Sequence, residues 1–224
     1  HYILAGISLV FGAMPIVPFF AGESTMKIIA ALCVVYLIAV YATDVFSKGK
    51  LDYALSSSTF MGVFYIAVSF TSIVLLRGEG KYLYLLVFIG PWVSDTFAYI
   101  FGRLLGKHKL IPEVSPKKTI EGSVAGIIFA ALSYVLYAFI ISKNFDTAAT
   151  PNYIVMAVSG ALVSVVSQVG DLSASAVKRH FGIKDYGFIF PGHGGVMDRF
   201  DSVIMTAPIL YIISQLPITA GFLI

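Results

Sequence analysis

Residues 122–141 read GSVAGIIFAALSYVLYAFII, twenty residues without a single charge. A helix rising 1.5 Å per residue covers a hydrocarbon core of about 30 Å with roughly this length. The rest of the chain agrees with that block. It is 58% hydrophobic and 12% charged, with a mean hydropathy of +0.89, whereas soluble domains carry charge at about 25% of positions. Working outward, further apolar blocks lie at 2–20, 27–41, 57–76, 82–101, 153–169 and 202–224. They are continuous and lack the alternation of a lipid-facing strand. The reading is an all-α, polytopic transmembrane helical bundle of about seven spans, with the block at 27–41 short enough to be tilted, extended at its ends or partly re-entrant.

No internal repeat or low-complexity linker interrupts the sequence, so one integral membrane domain over 1–224 is expected, with N-terminal spans over about 1–76 and a catalytic half over about 82–224. The apolar sequence starts at Tyr2, directly after His1, so a native stretch is expected upstream; residues 2–20 lack the basic leader of a signal peptide. The lone Cys33 lies in an apolar run, which excludes a disulfide framework and a Cys-based metal site.

Lys and Arg in short loops are retained on the cytoplasmic side. Eleven of the fifteen fall in alternate loops that include 102–121 and 170–201, and four fall in the others. Both polar segments are therefore expected at the cytoplasmic face, separated by two spans. They are long for connections between spans, which points to loops that form a site.

The segment 170–202 reads GDLSASAVKRHFGIKDYGFIFPGHGGVMDRFDS, with Asp171, Asp185, Asp198 and Asp201 beside Lys178, Arg179, Lys184 and Arg199. Carboxylates are hard oxygen ligands suited to Mg²⁺, which is usually shared between one or two carboxylates and substrate phosphates. Lys and Arg complement phosphate oxygens. A solvated loop that merely enforces topology and touches anionic lipid heads explains the cations, but four aspartates contribute to neither task. The glycines around His193 could let backbone N–H groups approach an anion; His193 itself could orient an aspartate or contact phosphate.

The second segment, 92–122, reads WVSDTFAYIFGRLLGKHKLIPEVSPKKTIEG. Asp95 stands inside an apolar span, where an ionisable group is costly and marks a functional or paired site. Ser115, Lys117, Lys118 and Thr119 then offer hydroxyls and ammonium groups just before a helix, whose N-terminus is itself an anion site. The structural alternatives are an interhelical hydrogen bond for Asp95, and a positive stop with a helix cap for 115–121.

Taken together, Ser175, Lys178-Arg179, Lys184-Asp185, Gly187, Pro191, His193-Gly194-Gly195, Asp198-Arg199 and Asp201 have the spacing of a C-terminal signature, and Trp92, Asp95-Thr96, Ala98-Tyr99, Gly102-Arg103, Gly106, Ser115-Pro116-Lys117-Lys118-Thr119 and Glu121-Gly122 form an upstream block. In both, the chain resembles the phosphatidate cytidylyltransferase family, the CDP-diacylglycerol synthases. The resemblance implies a reaction of CTP with phosphatidic acid to give CDP-diacylglycerol and pyrophosphate. It also implies Mg²⁺ with a second cation nearby, a homodimer, and a site facing the cytoplasm of a bacterial inner membrane. It carries over Asp171 and Asp198 as metal ligands, with Asp201 as a further candidate. Lys178 and Arg179 join the two aspartates as catalytic groups. Ser115, Lys117, Lys118, Thr119, Lys184, His193, Arg199 and Asp95 fall to substrate binding. Membrane lipids are partners and nucleic acid is not. Two other readings share the composition: a CTP-dependent kinase of a polyprenol or dolichol, and an ion-coupled transporter using Asp95 and Asp171.

Overall fold

The computed structural model describes residues 2–47, 53–145, 150–187 and 195–216. Five of its helices are long and apolar enough to cross a membrane, within Thr25–Thr43, Ala54–Glu79, Leu83–Leu104, Ile120–Asn144 and Tyr153–His180. The chain is an integral membrane protein, and it divides into two compact units, His1–Leu75 and Leu76–Ile224.

The first unit contains α1 (Tyr2–Gly12), α2 (Pro18–Ala21), α3 (Thr25–Phe46) and most of α4 (Tyr53–Glu79). Its core is aromatic. Phe11 of α1 stacks on Tyr36 of α3 at 4.1 Å between ring centroids, and Phe60 of α4 stacks on Tyr36 at 5.4 Å. The hydroxyls of Ser8 and Tyr36 pair at 3.0 Å, so neither polar group is left bare in an apolar setting.

The second unit holds α5 (Leu86–Leu104), a hairpin of β1 (Lys109–Ile111) and β2 (Ser115–Thr119), then α6 (Ile120–Asn144), α7 (Tyr153–His180) and α8 (Met197–Ser214). Small residues let these helices approach closely, as expected where lipid removes the hydrophobic incentive for association. A Cβ on Gly122 would fall 2.4 Å from the Ala98 carbonyl oxygen, and one on Gly126 would fall 2.9 Å from that of Ser94, so α6 lies almost backbone to backbone on α5. Pro91 inside α5 lacks the N–H that would bond the Val87 carbonyl. Thr206 of α8 donates to that oxygen at 3.5 Å, and Tyr134 of α6, fully buried, donates to the neighbouring Leu86 carbonyl at 2.8 Å. The hydroxyls of two other helices thus meet backbone acceptors at the interruption.

The all-α bundle expected from the sequence is present, with three differences of detail. The block 2–20 is not one helix, because Pro15 and Pro18 divide it into α1, a 3₁₀ turn at Met14–Ile16 and α2. The block at 27–41 is extended at both ends, one of the forms expected of it, into the 22-residue helix α3. A short antiparallel hairpin, with Lys109 opposite Thr119, occupies a segment read as loop. Finally, α7 continues past Val169 to His180 and α8 begins at Met197, before Ser202. Polar sequence there does not mean loop: the helical hydrogen bonds run on and polar side chains project into a shared cavity. The last part of the block 202–224, from 217 onward, lies outside the described residues.

Candidate active site

α5 and α7 run toward the hairpin, and α6 and α8 run back from it. The C-terminal turns of one pair and the first turns of the other therefore meet at one end of the second unit, and the two polar segments come together there. They line a cavity of about 730 Å³. Asp95, Asp171, Asp185, Asp198 and Asp201 face it, as do Arg103, Lys109, Lys117, Lys118, Lys178 and Arg199. Five carboxylates against six cations leave a nearly balanced cavity, suited to a polyanion that arrives with its own counter-ion.

Each charged group is fixed by its element. α7 presents Asp171 near its polar end and Lys178 two turns later. Lys118 comes from β2, and its Nζ lies 2.5 Å from Asp171 Oδ2. The two form a close ion pair, each side chain about a quarter exposed at 26%. Lys178 Nζ sits 2.8 Å from Asp198 Oδ1 and 3.9 Å from Asp201 Oδ2. The Lys178 and Asp198 side chains are only 11% and 6% exposed, so this is a largely buried pair.

Asp198 Oδ2 also accepts the backbone N–H groups of Tyr186 at 2.8 Å and Gly195 at 3.0 Å. These two bonds close the ends of the 187–195 segment onto the first turn of α8. Burial raises the Asp198 carboxyl, but the Lys178 ammonium and the two N–H groups more than reverse this and hold it below the usual carboxylate range. Tyr186 completes the clamp, its hydroxyl donating to the Ala174 carbonyl at 3.1 Å and its ring lying 5.2 Å from Lys178 Nζ. Asp201 accepts the Ser202 N–H at 2.8 Å, and the Ser202 hydroxyl donates to Asp95 Oδ2 at 3.3 Å.

Thr119 opens α6 as its N-cap, accepting the Gly122 N–H at 3.2 Å. Glu121 in the same turn accepts from the backbone N–H of His108 and pairs with its Nδ1 at 2.7 Å, tying the start of the hairpin to α6. Lys117, Lys118 and Thr119 are thereby held at the cavity wall.

The structure does not gather every residue singled out in the sequence. Asp95, Asp171, Lys178, Asp198, Arg199, Asp201, Lys117, Lys118 and Thr119 line the cavity. Arg179 does not, being exposed and donating to the Ile183 carbonyl at 3.5 Å. Ser115 begins β2 opposite Ile111, and Lys184 is exposed; neither lines the cavity. His193 falls outside the described residues. Conversely, Gln168, Ser123 and Ser202 line the cavity and escaped the sequence reading. The available signal was an amide, Gln168, inside an otherwise apolar span, where a polar group is expensive.

Among the described residues no three His, Cys, Asp or Glu side chains close on a point as a ready metal cage. The donor set nonetheless fits Mg²⁺, which takes few protein ligands and fills its remaining positions with water and substrate oxygens. The carboxylates of Asp171 and Asp201 act on Asp95 through space, and the cations now against Asp171 and Asp198 are ammonium groups, which hold the place of positive charge.

An apolar helical bundle with a mixed-charge cavity at one end defines the class: an integral membrane protein equipped to handle a phosphorylated substrate at the membrane surface. Comparison with known sequences narrows it. The model of the cytidylyltransferase family matches residues 1–216. A phosphatidate cytidylyltransferase of Staphylococcus haemolyticus is 35% identical over 216 residues, 94% of this chain and 80% of the relative. One from Staphylococcus saprophyticus is 40% identical over 169 residues, 75% of this chain and 63% of the relative. One from Staphylococcus aureus is 37% identical over 174 residues, covering 78% and 65% respectively. The chain thus spans four fifths of the first relative and slightly under two thirds of the other two. It belongs to the cytidylyltransferase family and is a nucleotidyltransferase.

Proposed function

We propose that this chain transfers the cytidylyl group of CTP to phosphatidic acid, giving CDP-diacylglycerol and pyrophosphate, at the cytoplasmic face of a bacterial inner membrane. The observation that carries this reading is the single cavity in which aspartates and Lys/Arg side chains converge at the polar end of membrane-length helices. CTP reaches such a place from solution, and phosphatidic acid reaches it with its acyl chains still in the bilayer.

A phosphate oxygen of phosphatidic acid attacks the α-phosphorus of CTP, a new P–O bond forms, and the bond to the β-phosphate oxygen breaks as pyrophosphate leaves. A phosphomonoester loses its second proton near a pKa of about 6, so the nucleophile is already anionic and no strong general base is needed. The protein's part is to position two polyanions and neutralise their repulsion. Lys118 and Lys117, both at the cavity wall, hold the lipid phosphate. Lys178 and Arg199 face the triphosphate from α7 and α8. Asp198 keeps Lys178 aimed into the cavity and holds the Tyr186 and Gly195 backbones against the first turn of α8. Asp171, with Asp198 and Asp201, would hold Mg²⁺, and Asp95 adds carboxylate charge toward a second cation. The bound metal would supply charge neutralisation at the phosphate oxygens.

The test uses purified protein in lipid micelles with phosphatidic acid, cytidine-labelled CTP and Mg²⁺. Equal amounts of pyrophosphate and lipid-borne cytidine, both lost on chelation, are expected. CDP together with a phosphorylated lipid alcohol would replace this reading with the kinase, and ion flux in proteoliposomes without nucleotide would replace it with the transporter.

A further inference from the structure

At the wall of the charged cavity, which Gln168 and Ser123 line, four side chains from three helices close a polar node. The hydroxyls of Ser94 in α5 and Ser164 in α7 pair at 2.7 Å. Gln168, one turn after Ser164, donates through Nε2 to the Ser123 carbonyl at 3.1 Å, to Ser164 Oγ at 3.3 Å and to Ser94 Oγ at 3.5 Å. Its Oε1 accepts a short hydrogen bond from the Ser123 hydroxyl of α6. Ser94 and Ser164 are fully buried and Gln168 is 8% exposed. A membrane helix packs well with apolar side chains at such positions, and an amide there is retained only if its full set of donors and acceptors is used.

The placement of the node gives it a use. Ser94 is the residue before Asp95. Gln168 is three residues before Asp171, so both lie on one face of α7. Ser123 stands one turn inside α6 from Thr119, the cap that follows Lys118. Ser94 and Gln168 therefore sit within one turn of Asp95 and Asp171 on their own helices, Ser164 is two turns from Asp171, and Ser123 is five residues beyond Lys118 of β2. A single amide spans all three, fixing both the axial register and the rotation of α5, α6 and α7. At this level α6 touches α5 through Gly126, where a Cβ would fall 2.9 Å from the Ser94 carbonyl oxygen, so the two backbones lie close enough for one amide to reach both.

We infer that Gln168 is a positioning residue: through Ser94, Ser123 and Ser164 it sets Asp95, Asp171 and Lys118 at the separations that bind a divalent cation and the phosphates it accompanies. The inference rests on the cytidylyl-transfer reading for its substrates, but not for its metal readout. Groups that orient charged ligands from behind typically change metal affinity or activity by about 10–100-fold when removed.

The test compares Gln168→Leu, Ser123→Ala and, as a control, Ser167→Ala. Ser167 is fully buried beside Gln168 and its hydroxyl has no partner, so losing it removes a polar atom without touching the node. Mn²⁺ binding is titrated by electron paramagnetic resonance without nucleotide, alongside kcat, KM for both substrates and the thermal midpoint in detergent. Gln168→Leu is expected to weaken Mn²⁺ binding and lower kcat about 10–100-fold, and to raise KM for phosphatidic acid through the displaced Lys118. Ser123→Ala should move both in the same direction by a smaller factor, and Ser167→Ala should match the parent. The inference is overturned if Gln168→Leu binds Mn²⁺ within twofold of the parent. If Gln168→Leu does not fold, Ser123→Ala decides: parent-like Mn²⁺ affinity overturns the inference. A parent that binds Mn²⁺ but makes no lipid-borne cytidine would instead count against the proposed reaction, leaving the positioning role standing.

Discussion

At the scale of single residues, the cavity is a balance of carboxylates and cations in which each partner restrains the other. Asp171→Ala removes a hard oxygen ligand and leaves Lys118 facing the cavity alone. Metal stabilisation of phosphate charge is worth several kcal/mol, so kcat should fall by about 10²–10³-fold in the labelled-CTP assay; full activity would remove Asp171 from the site. Lys178→Met is a different kind of lesion. It strands Asp198, whose side chain is only 6% exposed. Leaving one ion of a buried pair alone costs roughly 3–5 kcal/mol, and the opening of this pair onto the cavity puts it at the lower end. The thermal midpoint in detergent should drop, and adding Asp198→Asn should recover part of the loss. A midpoint unmoved by Lys178→Met would mean that the pair contributes nothing to stability.

At the scale of elements, the hairpin and the first turn of α6 act as one piece. Thr119 caps the helix, Glu121 grips His108, and the strand between them carries Lys117 and Lys118. Replacing Thr119 with Val keeps the shape and deletes the acceptor, which costs about 1 kcal/mol for a lost N-cap. The expected outcome is a small fall in stability and a larger rise in KM for phosphatidic acid, measured by micelle kinetics. Gly122→Ala tests the contact between α5 and α6, since the new methyl would meet backbone, the Ala98 carbonyl oxygen, at 2.4 Å. The helices must separate, so both stability and activity should fall. Wild-type kinetics in that variant would show that the two helices need not touch there.

At the scale of the whole molecule, we propose an orientation from charge. Most Lys and Arg lie in the loops that supply the cavity, which the positive-inside rule assigns to the cytoplasm. A cysteine introduced at Lys109 in a Cys33→Ala background should be labelled by an impermeant thiol reagent in inside-out vesicles and protected in right-side-out ones. The reverse pattern would invert the topology and put the cavity out of reach of cytosolic CTP. The homodimer expected from the family resemblance is measured on the same purified protein by light scattering.

The helical membrane fold was legible in the sequence because bilayer thickness and the need to satisfy every backbone group leave an uncharged twenty-residue block few other forms. The polar ends of the site were legible for a related reason: carboxylates and cations beside membrane spans are too costly to be incidental, and Asp95, Asp171, Lys178, Asp198 and Asp201 all face one cavity. Composition could not say where helix ends and loop begins at residues 170–201, because backbone hydrogen bonding continues regardless of side-chain polarity; hence α7 reaches His180. Nor could it separate Lys178 from Arg179, adjacent cations that point to different places because a helix turns about 100° per residue. The node around Gln168 was the least visible part. Serines and one glutamine scattered over 75 positions, Ser94 to Gln168, carry no pattern in one dimension. They become a unit only when glycines bring three helix backbones close enough for an amide to reach all of them.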